Sequence, residues 1–175
     1  MRAIILNGHG GVDALEYVGN FPDPECGKDD VVVRVKSTSL NYHDIFTRNG
    51  MPGIKISMPM ICGLDVAGEI AEIGANVSGW KIGERVLIDP RNRVEGGLVG
   101  ETIHGGLAEY CRVKEHQLVR IPDGVSFDQA SSLPVAYGTA HRMMMTIGQV
   151  TSDDKILILG ASGGVGTGAL LLANM

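Results

Sequence analysis

The sequence contains few cysteines, no run of basic residues and no long uninterrupted apolar segment. Its three cysteines, Cys26, Cys62 and Cys111, are too few and too scattered for a disulfide framework, which favours a reducing compartment. The amino-terminal stretch lacks the apolar core of a signal peptide, and glycines interrupt the most apolar segment well before the ~20 residues that a spanning helix needs. We therefore expect a cytoplasmic protein without a membrane partner.

The charge and composition exclude further classes of protein. The net charge is −5 and basic residues are not clustered, so a nucleic-acid partner is not expected. Hydrophobic residues make up 44% and charged residues 20%, which indicates a globular chain and not a disordered one. The length of 175 residues allows one domain with a core, or one domain and part of a second.

Short apolar or alternating segments, separated by glycine-rich and polar turns, fill the first two thirds of the chain. Val31, Val33 and Val35 fall on one face of the clearest example, in the alternation typical of a strand. The predicted strands cover residues 1–6, 14–18, 31–36, 66–73, 84–88, 107–113 and 117–121. Many short strands with regular turns predict a compact barrel or sandwich.

The pattern changes near residues 122–126, where we place a domain boundary between residues 1–124 and residues 125–175. Ser126 followed by Gln129 is a capping-box signature that predicts a helix start. A second helix is predicted over 136–147, and the apolar run 155–159 is typical of a buried parallel strand.

A glycine loop, Gly160-Ala-Ser-Gly163-Gly-Val-Gly166, joins this predicted strand to an apolar helix. Small residues allow the sharp turn, the close approach of a pyrophosphate and its binding at the helix amino terminus. Ser162 holds the middle position of the usual G-x-G-x-x-G pattern, so a tight turn that binds nothing is the alternative. The predicted cofactor ligands are Gly160, Ser162, Gly163, Gly164, Val165 and Gly166.

Several further motifs occur in a characteristic order and spacing. They are Asn41–Asp44 with Arg48–Gly50, Pro59–Gly68, Gly79–Val86, His104–Tyr110, Leu133–Pro134 and Tyr137–Ala140. Together with the glycine loop they resemble the medium-chain dehydrogenase/reductase superfamily, most closely its zinc-free quinone oxidoreductase-like branch. The resemblance implies a mainly β fold: a GroES-like barrel domain, then the first helix–strand–helix portion of a Rossmann α/β domain.

The same resemblance implies an enzyme that transfers a hydride between NAD(P)H and a quinone, enone or related carbonyl compound. It favours NADP over NAD, with no residue of this chain deciding between them. Among the matched residues, Asn41 would hydrogen-bond substrate or nicotinamide, and Thr139 would lie near the nicotinamide. Tyr42 or His104 could supply a proton, and Asp44 is either a site residue or a helix cap.

Zinc is not expected. The positions that match the catalytic zinc ligands of metal-dependent relatives hold Asn41, Leu64 and Ser131, none of which is a good zinc ligand. The region that matches the structural zinc lobe, residues 89–97, has no cysteine. His43 and His104 lack a ligand spacing. A zinc-type alcohol dehydrogenase relative remains the alternative.

The family pattern continues beyond Met175, through more βα units and the residue that distinguishes NAD from NADP. We therefore expect this chain to be the front half of an enzyme whose full-length form is a homodimer. The apolar helix that includes Leu170, Leu171 and Leu172 would then be poorly ordered, or would be covered by a partner copy. The alternative is a stand-alone, non-enzymatic GroES-like binding domain.

Overall fold

A computed structural model describes residues 1–175. The strands are β1 (Ala3–Leu6), β2 (Leu15–Val18), β3 (Asp30–Ser39), β4 (Met60–Ile61), β5 (Asp65–Ile73), β6 (Arg85–Ile88), β7 (Tyr110–Lys114) and β8 (Leu118–Arg120). The helices are α1 (Tyr42–Asn49), α2 (Phe127–Ser131), α3 (Ala136–His141) and α4 (Gly164–Ala173). Short 3₁₀ turns lie at 12–14 and 115–117, and a π-type turn extends α3 through Ile147. The predicted mainly β fold is confirmed.

The strands form two antiparallel sheets. The smaller sheet has the order β2-β1-β4, and the larger has the order β7-β3-β5-β6-β8. The seven strands predicted in the first two thirds of the chain are present with shifted ends, and β4 is additional. It falls in the apolar run before Gly63, where Met60 and Ile61 pair with Leu6 and Ile5 of β1.

The main core lies on the larger sheet. It consists of Val31, Val33, Val66, Ile70, Val86, Ile88, Val99, Cys111, Val113 and Leu118. Burial raises the pKa of the Cys111 thiol to about 12 and that of Cys62 to about 11, so both thiols stay neutral at physiological pH. Both cysteines are small, buried core residues.

A bulge in β3 brings two backbones unusually close. Val35 pairs with Gly68 while Ser37 pairs with Ala67, so β3 carries one extra residue against β5. A Cβ atom at Gly68 would lie 2.1 Å from the carbonyl oxygen of Arg34. Glycine at this position therefore allows the two central strands of the larger sheet to pair.

The helices begin at local capping contacts. The Ser126 hydroxyl accepts from the Gln129 amide at 3.1 Å, and the Gln129 side chain accepts from the Ser126 amide at 2.9 Å, which confirms the predicted box. The predicted helix over 136–147 is also confirmed. Helix α1 was not predicted, and its first turn is held by the Asn41 amide donating to Asp44 Oδ2 at 2.8 Å.

The prediction of a strand at 155–159 is wrong. This segment has no strand pairing, and Leu157 and Leu159 are 84% and 85% exposed. A parallel strand requires a hydrogen-bonded neighbour, and none of the eight strands lies beside it.

Helix α4 follows and packs on α3 through Ala140, Met144 and Ala169. None of the helices combines the length and the apolar character needed to cross a membrane.

The close approach at Gly68 predicts a specific loss of stability. In Gly68→Ala the added methyl must push β3 away from β5, and we expect the free energy of unfolding to fall by about 1–3 kcal/mol. Gly19→Ala is the matched control, since a Cβ there meets nothing within 4 Å; its effect should stay within about 0.5 kcal/mol. Urea unfolding measures both, and equal stability of the two variants would contradict the packing argument.

Candidate functional site

A buried carboxylate at the start of β5 connects three separate segments. Asp65 is 1% exposed, and its Oδ2 accepts from the Ser39 hydroxyl at 2.6 Å and from the Asn41 side-chain amide at 2.8 Å. Its Oδ1 accepts from the Val135 backbone amide at 2.9 Å. The end of β3, the start of α1 and the start of α3 are thereby held around one side chain.

A second buried carboxylate lies beside it. Asp44 Oδ2 accepts from the Asn41 backbone amide, and Asp44 Oδ1 accepts from the Gly63 amide at 2.9 Å. Burial is the main cause that raises the pKa of Asp44 and of Asp65, and hydrogen bonds to the carboxylates oppose it. Neither carboxylate forms a salt bridge within 4.0 Å. Asp44 thus acts as a cap that holds Asn41 in place.

The three positions that match zinc ligands are committed to other contacts. Asn41 donates to Asp65, and the hydroxyls of Ser131 and Ser37 lie 2.9 Å apart. Leu64 is buried and apolar. No group of three His, Cys, Asp or Glu side chains has the arrangement of a metal site. The side chains at these positions are thus one amide, one hydroxyl and one apolar group, with no thiolate and no imidazole among them.

A cleft of about 600 Å³ separates the sheets from α3. Leu64 and Val135 line it beside the buried Asp65, and Thr139 lines it from α3. Thr139 is exposed, so its hydroxyl is available to a ligand. The structure therefore places Thr139 in one cleft with residues that adjoin Asn41.

One pair in this cleft was missed by the sequence analysis. His43 Nε2 and Glu101 Oε2 lie 2.5 Å apart, and Glu101 is only 8% exposed. The two residues are 58 positions apart in the chain, and although His43 lies in the Asn41–Asp44 motif, nothing in the sequence pairs it with Glu101. Only the fold shows that they meet.

Two predicted catalytic residues lie elsewhere. His104 lines a different cavity, where its Nδ1 accepts from the Ile61 amide at 3.3 Å and its ring meets Phe21 edge-on. Tyr42 is 78% exposed, with its ring beside Phe46. Neither residue is brought to the cleft that contains Thr139.

The glycine loop forms a tight cradle at the start of α4. A Cβ at Gly166 would lie 2.3 Å from the carbonyl oxygen of Gly160, so only glycine fits. The first hydrogen bond of the helix runs from the Thr167 amide to the Gly163 carbonyl at 2.8 Å, which leaves the preceding amides without acceptors inside the helix. Every predicted loop ligand except Ser162 lines an apolar cavity of about 650 Å³. This cavity is separate from the cleft that contains Thr139.

The buried Asp65 predicts how stability depends on pH. The pKa of Asp65 in the folded protein lies above its ordinary value of 3.8, so the folded state binds the proton more tightly than the unfolded state does. This adds to the free energy of unfolding in full below pH 3.8, and the contribution is lost as the pH rises through the pKa of the folded state. Asn cannot titrate, and the contribution of Asp44 largely cancels in the comparison. We expect the stability gap between wild type and Asp65→Asn to be largest at acid pH and to narrow as pH rises.

Urea unfolding of both proteins across the acid range measures this gap. A gap that widens with pH would show that the carboxylate is stabilised in its charged form, contrary to the structure.

Comparison with known proteins places the chain in a family. The alcohol dehydrogenase GroES-like domain matches residues 27–123. A "Quinone oxidoreductase" from Lama guanicoe is 31% identical over 174 residues, which are 99% of this chain and 49% of the relative. An "NADPH-dependent alkenal/one oxidoreductase, chloroplastic" from Arabidopsis thaliana is 34% identical over 175 residues, with 99% and 44% covered.

A solved structure described as an NAD-dependent alcohol dehydrogenase superposes with a TM-score of 0.91 at 31% identity, over 99% of this chain and 55% of its own. The chain spans about half the length of the curated relatives it matches. The family match covers more than half of the chain, and the relatives agree with it in sequence and fold. The chain therefore belongs to the alcohol dehydrogenase GroES-like domain family, within the quinone oxidoreductase-like branch of the medium-chain dehydrogenase/reductase superfamily.

Proposed function

We propose that the protein is an NAD(P)H-dependent oxidoreductase that acts on a quinone, enone or related carbonyl compound without a catalytic zinc ion. The observation that carries the proposal is the hydrogen-bond network of Asn41 and Asp65 beside the cleft, at positions where metal-dependent relatives need ligands. Residues 1–124 would form the substrate domain, and residues 125–175 would begin the nucleotide-binding domain. The names of the quinone and alkenal relatives support the substrate class.

The glycine loop fits a dinucleotide. Gly166 keeps the loop backbone free of side chains at its tightest point, and the amides of Gly164 and Val165 lie at the positive end of α4. These groups would hold the pyrophosphate. A bound nicotinamide dinucleotide supplies or accepts the hydride. We propose NADP in preference to NAD, by analogy with the NADPH-dependent alkenal relative.

The network gives each polar residue a defined task. One N–H of the Asn41 amide is committed to Asp65, which fixes the orientation of the side chain. Its second N–H would donate to the substrate carbonyl oxygen and stabilise the negative charge that develops there. Thr139 would contact the nicotinamide from α3, and Asp44 would hold Asn41 without touching substrate.

The remaining polar candidates have weaker support. His104 faces another cavity, and the exposed Tyr42 lies on the outer side of α1, so we assign neither a role in proton transfer. The exposed apolar residues of 155–159 and α4 are consistent with further packing partners. We propose that the full-length protein is a homodimer, as the family resemblance implies.

The cradle at the glycine loop predicts the effect of one methyl group. Gly166→Ala places a Cβ against the Gly160 carbonyl, so the loop must shift and the Kd for NADPH should rise at least about tenfold, or about 1.4 kcal/mol. The control is Gly19→Ala, far from the loop in sequence and with open space around its Cβ. Fluorescence titration with NADPH measures both, and unchanged binding by Gly166→Ala would remove the loop from the cofactor site.

The zinc-free assignment predicts resistance to chelation. The purified full-length protein, dialysed against a strong chelator, should contain far less than one zinc per chain and should oxidise NADPH with an enone or quinone at the rate of the untreated protein. Metal analysis and NADPH absorbance measure the two quantities. Stoichiometric zinc with activity that chelation abolishes would favour the zinc-type alcohol dehydrogenase reading. No turnover with any carbonyl or quinone would overturn the oxidoreductase proposal itself.

A further inference from the structure

The pair formed by His43 and Glu101 is a short polar contact beside the cleft. Nε2 and Oε2 lie 2.5 Å apart, which is within hydrogen-bond reach. The Glu101 side chain is 11% exposed and that of His43 is 27% exposed, so the carboxylate is buried behind the ring. His43 itself lines the cleft. The pair therefore joins a buried acceptor to a ring that a ligand can reach.

Both partners are held by their backbones. His43 is the second residue of α1, directly between Tyr42 and the capping residue Asp44. Glu101 lies in a tight turn in which its amide donates to the Leu98 carbonyl at 3.1 Å. Because both residues lie on backbone segments that are already ordered, forming the contact between His43 and Glu101 costs little conformational entropy.

The hydrogen bond defines the chemistry of the ring. With Glu101 accepting at Nε2, a proton is held at that nitrogen, and Nδ1 becomes the nitrogen that gains or loses a proton. Nδ1 makes no hydrogen bond to the protein, whereas Nε2 is committed to Glu101.

Other charged groups share this environment. Asp44 follows His43 on α1, and its two oxygens are occupied by backbone amides. The remaining titratable and charged residues that line the cleft are Asp89, Arg91, Arg93, His141 and Arg142. Arg93 is paired with Asp89 at 2.7 Å. Of the two histidines in the cleft, only His43 has a carboxylate partner.

We propose that His43 is the proton donor of the reduction and that Glu101 is its positioning residue. The proposal rests on the proposed function, because a carbonyl or enone that gains a hydride must also gain a proton. Hydride addition brings two electrons and leaves an enolate or alkoxide on the substrate. The Nδ1–H bond of the imidazolium then breaks, its electron pair stays on nitrogen, and the proton forms the new C–H or O–H bond. Neutral His43 regains a proton from water.

The first test compares two histidine variants of the intact protein. His43→Gln should lower kcat with an enone at least about 100-fold, and its pH–rate profile should lose the fall at alkaline pH that reports a donor being deprotonated. His116→Gln is the matched control, because His116 is exposed on the turn after β7 and lines none of the cavities described above. Added imidazole should restore part of the activity of His43→Gln only. Wild-type rate and profile in His43→Gln would overturn the proposal.

The second test isolates the carboxylate. Glu101→Gln keeps an oxygen that can accept from Nε2 but removes the charge, so kcat should fall about tenfold while KM is unchanged. An unchanged kcat in Glu101→Gln would overturn its role as the positioning residue.

A third measurement does not depend on turnover. Imidazole ¹⁵N spectra of the wild type should show His43 protonated at Nε2 at every pH where the protein is folded, and Glu101→Gln should weaken this preference. A neutral His43 protonated at Nδ1 alone would overturn the proposal. Turnover by wild type together with a fully active His43→Gln would remove the proton-donor role alone, whereas absence of turnover in wild type would remove the proposed function and the role together.

Discussion

The burial of the Asp65 carboxylate is the constraint on which the site depends. A carboxylate that is 1% exposed loses its hydration, and it must receive hydrogen bonds from the protein in return. Ser39, Asn41 and Val135 provide them from three different segments of the chain. Because Val135 precedes α3, the same side chain that orients Asn41 also anchors the helical part of the structure to the sheets. Cleft geometry and site chemistry are thus determined together.

The strands could be predicted because each carries its own pattern. Alternating valines and the turns between segments are local signals, and the two sheets follow them closely. Helix α1 lacks such a signal, since its start depends on the side chain of Asp44 folding back to the Asn41 amide. The apolar run at 155–159 shows the opposite case, in which a local pattern predicts a strand that the structure does not form. Apolar residues alone do not make a strand, because pairing depends on a neighbour that no local pattern can report.

The residues of the site also divide into those that a local motif predicts and those that only the fold brings together. Asn41 and Thr139 were found through motifs that are contiguous in the chain, and the structure places Thr139 in a cleft beside the network of Asn41. His43 and Glu101 could not be paired from the sequence, since the separation of 58 residues is closed only by the approach of one turn to α1. His104 belongs to an equally good motif and yet faces a different cavity. A motif identifies residues that a family retains, but only the backbone path decides which of them share a cavity.

Two buried carboxylates set the distribution of charge around the site. Asp44 and Asp65 both receive their hydrogen bonds from neutral donors. That is why burial raises the pKa of each carboxylate instead of an ion pair lowering it. In this chain the Asn41 side-chain amide donates to Asp65, and exposed arginines line the open side of the cleft.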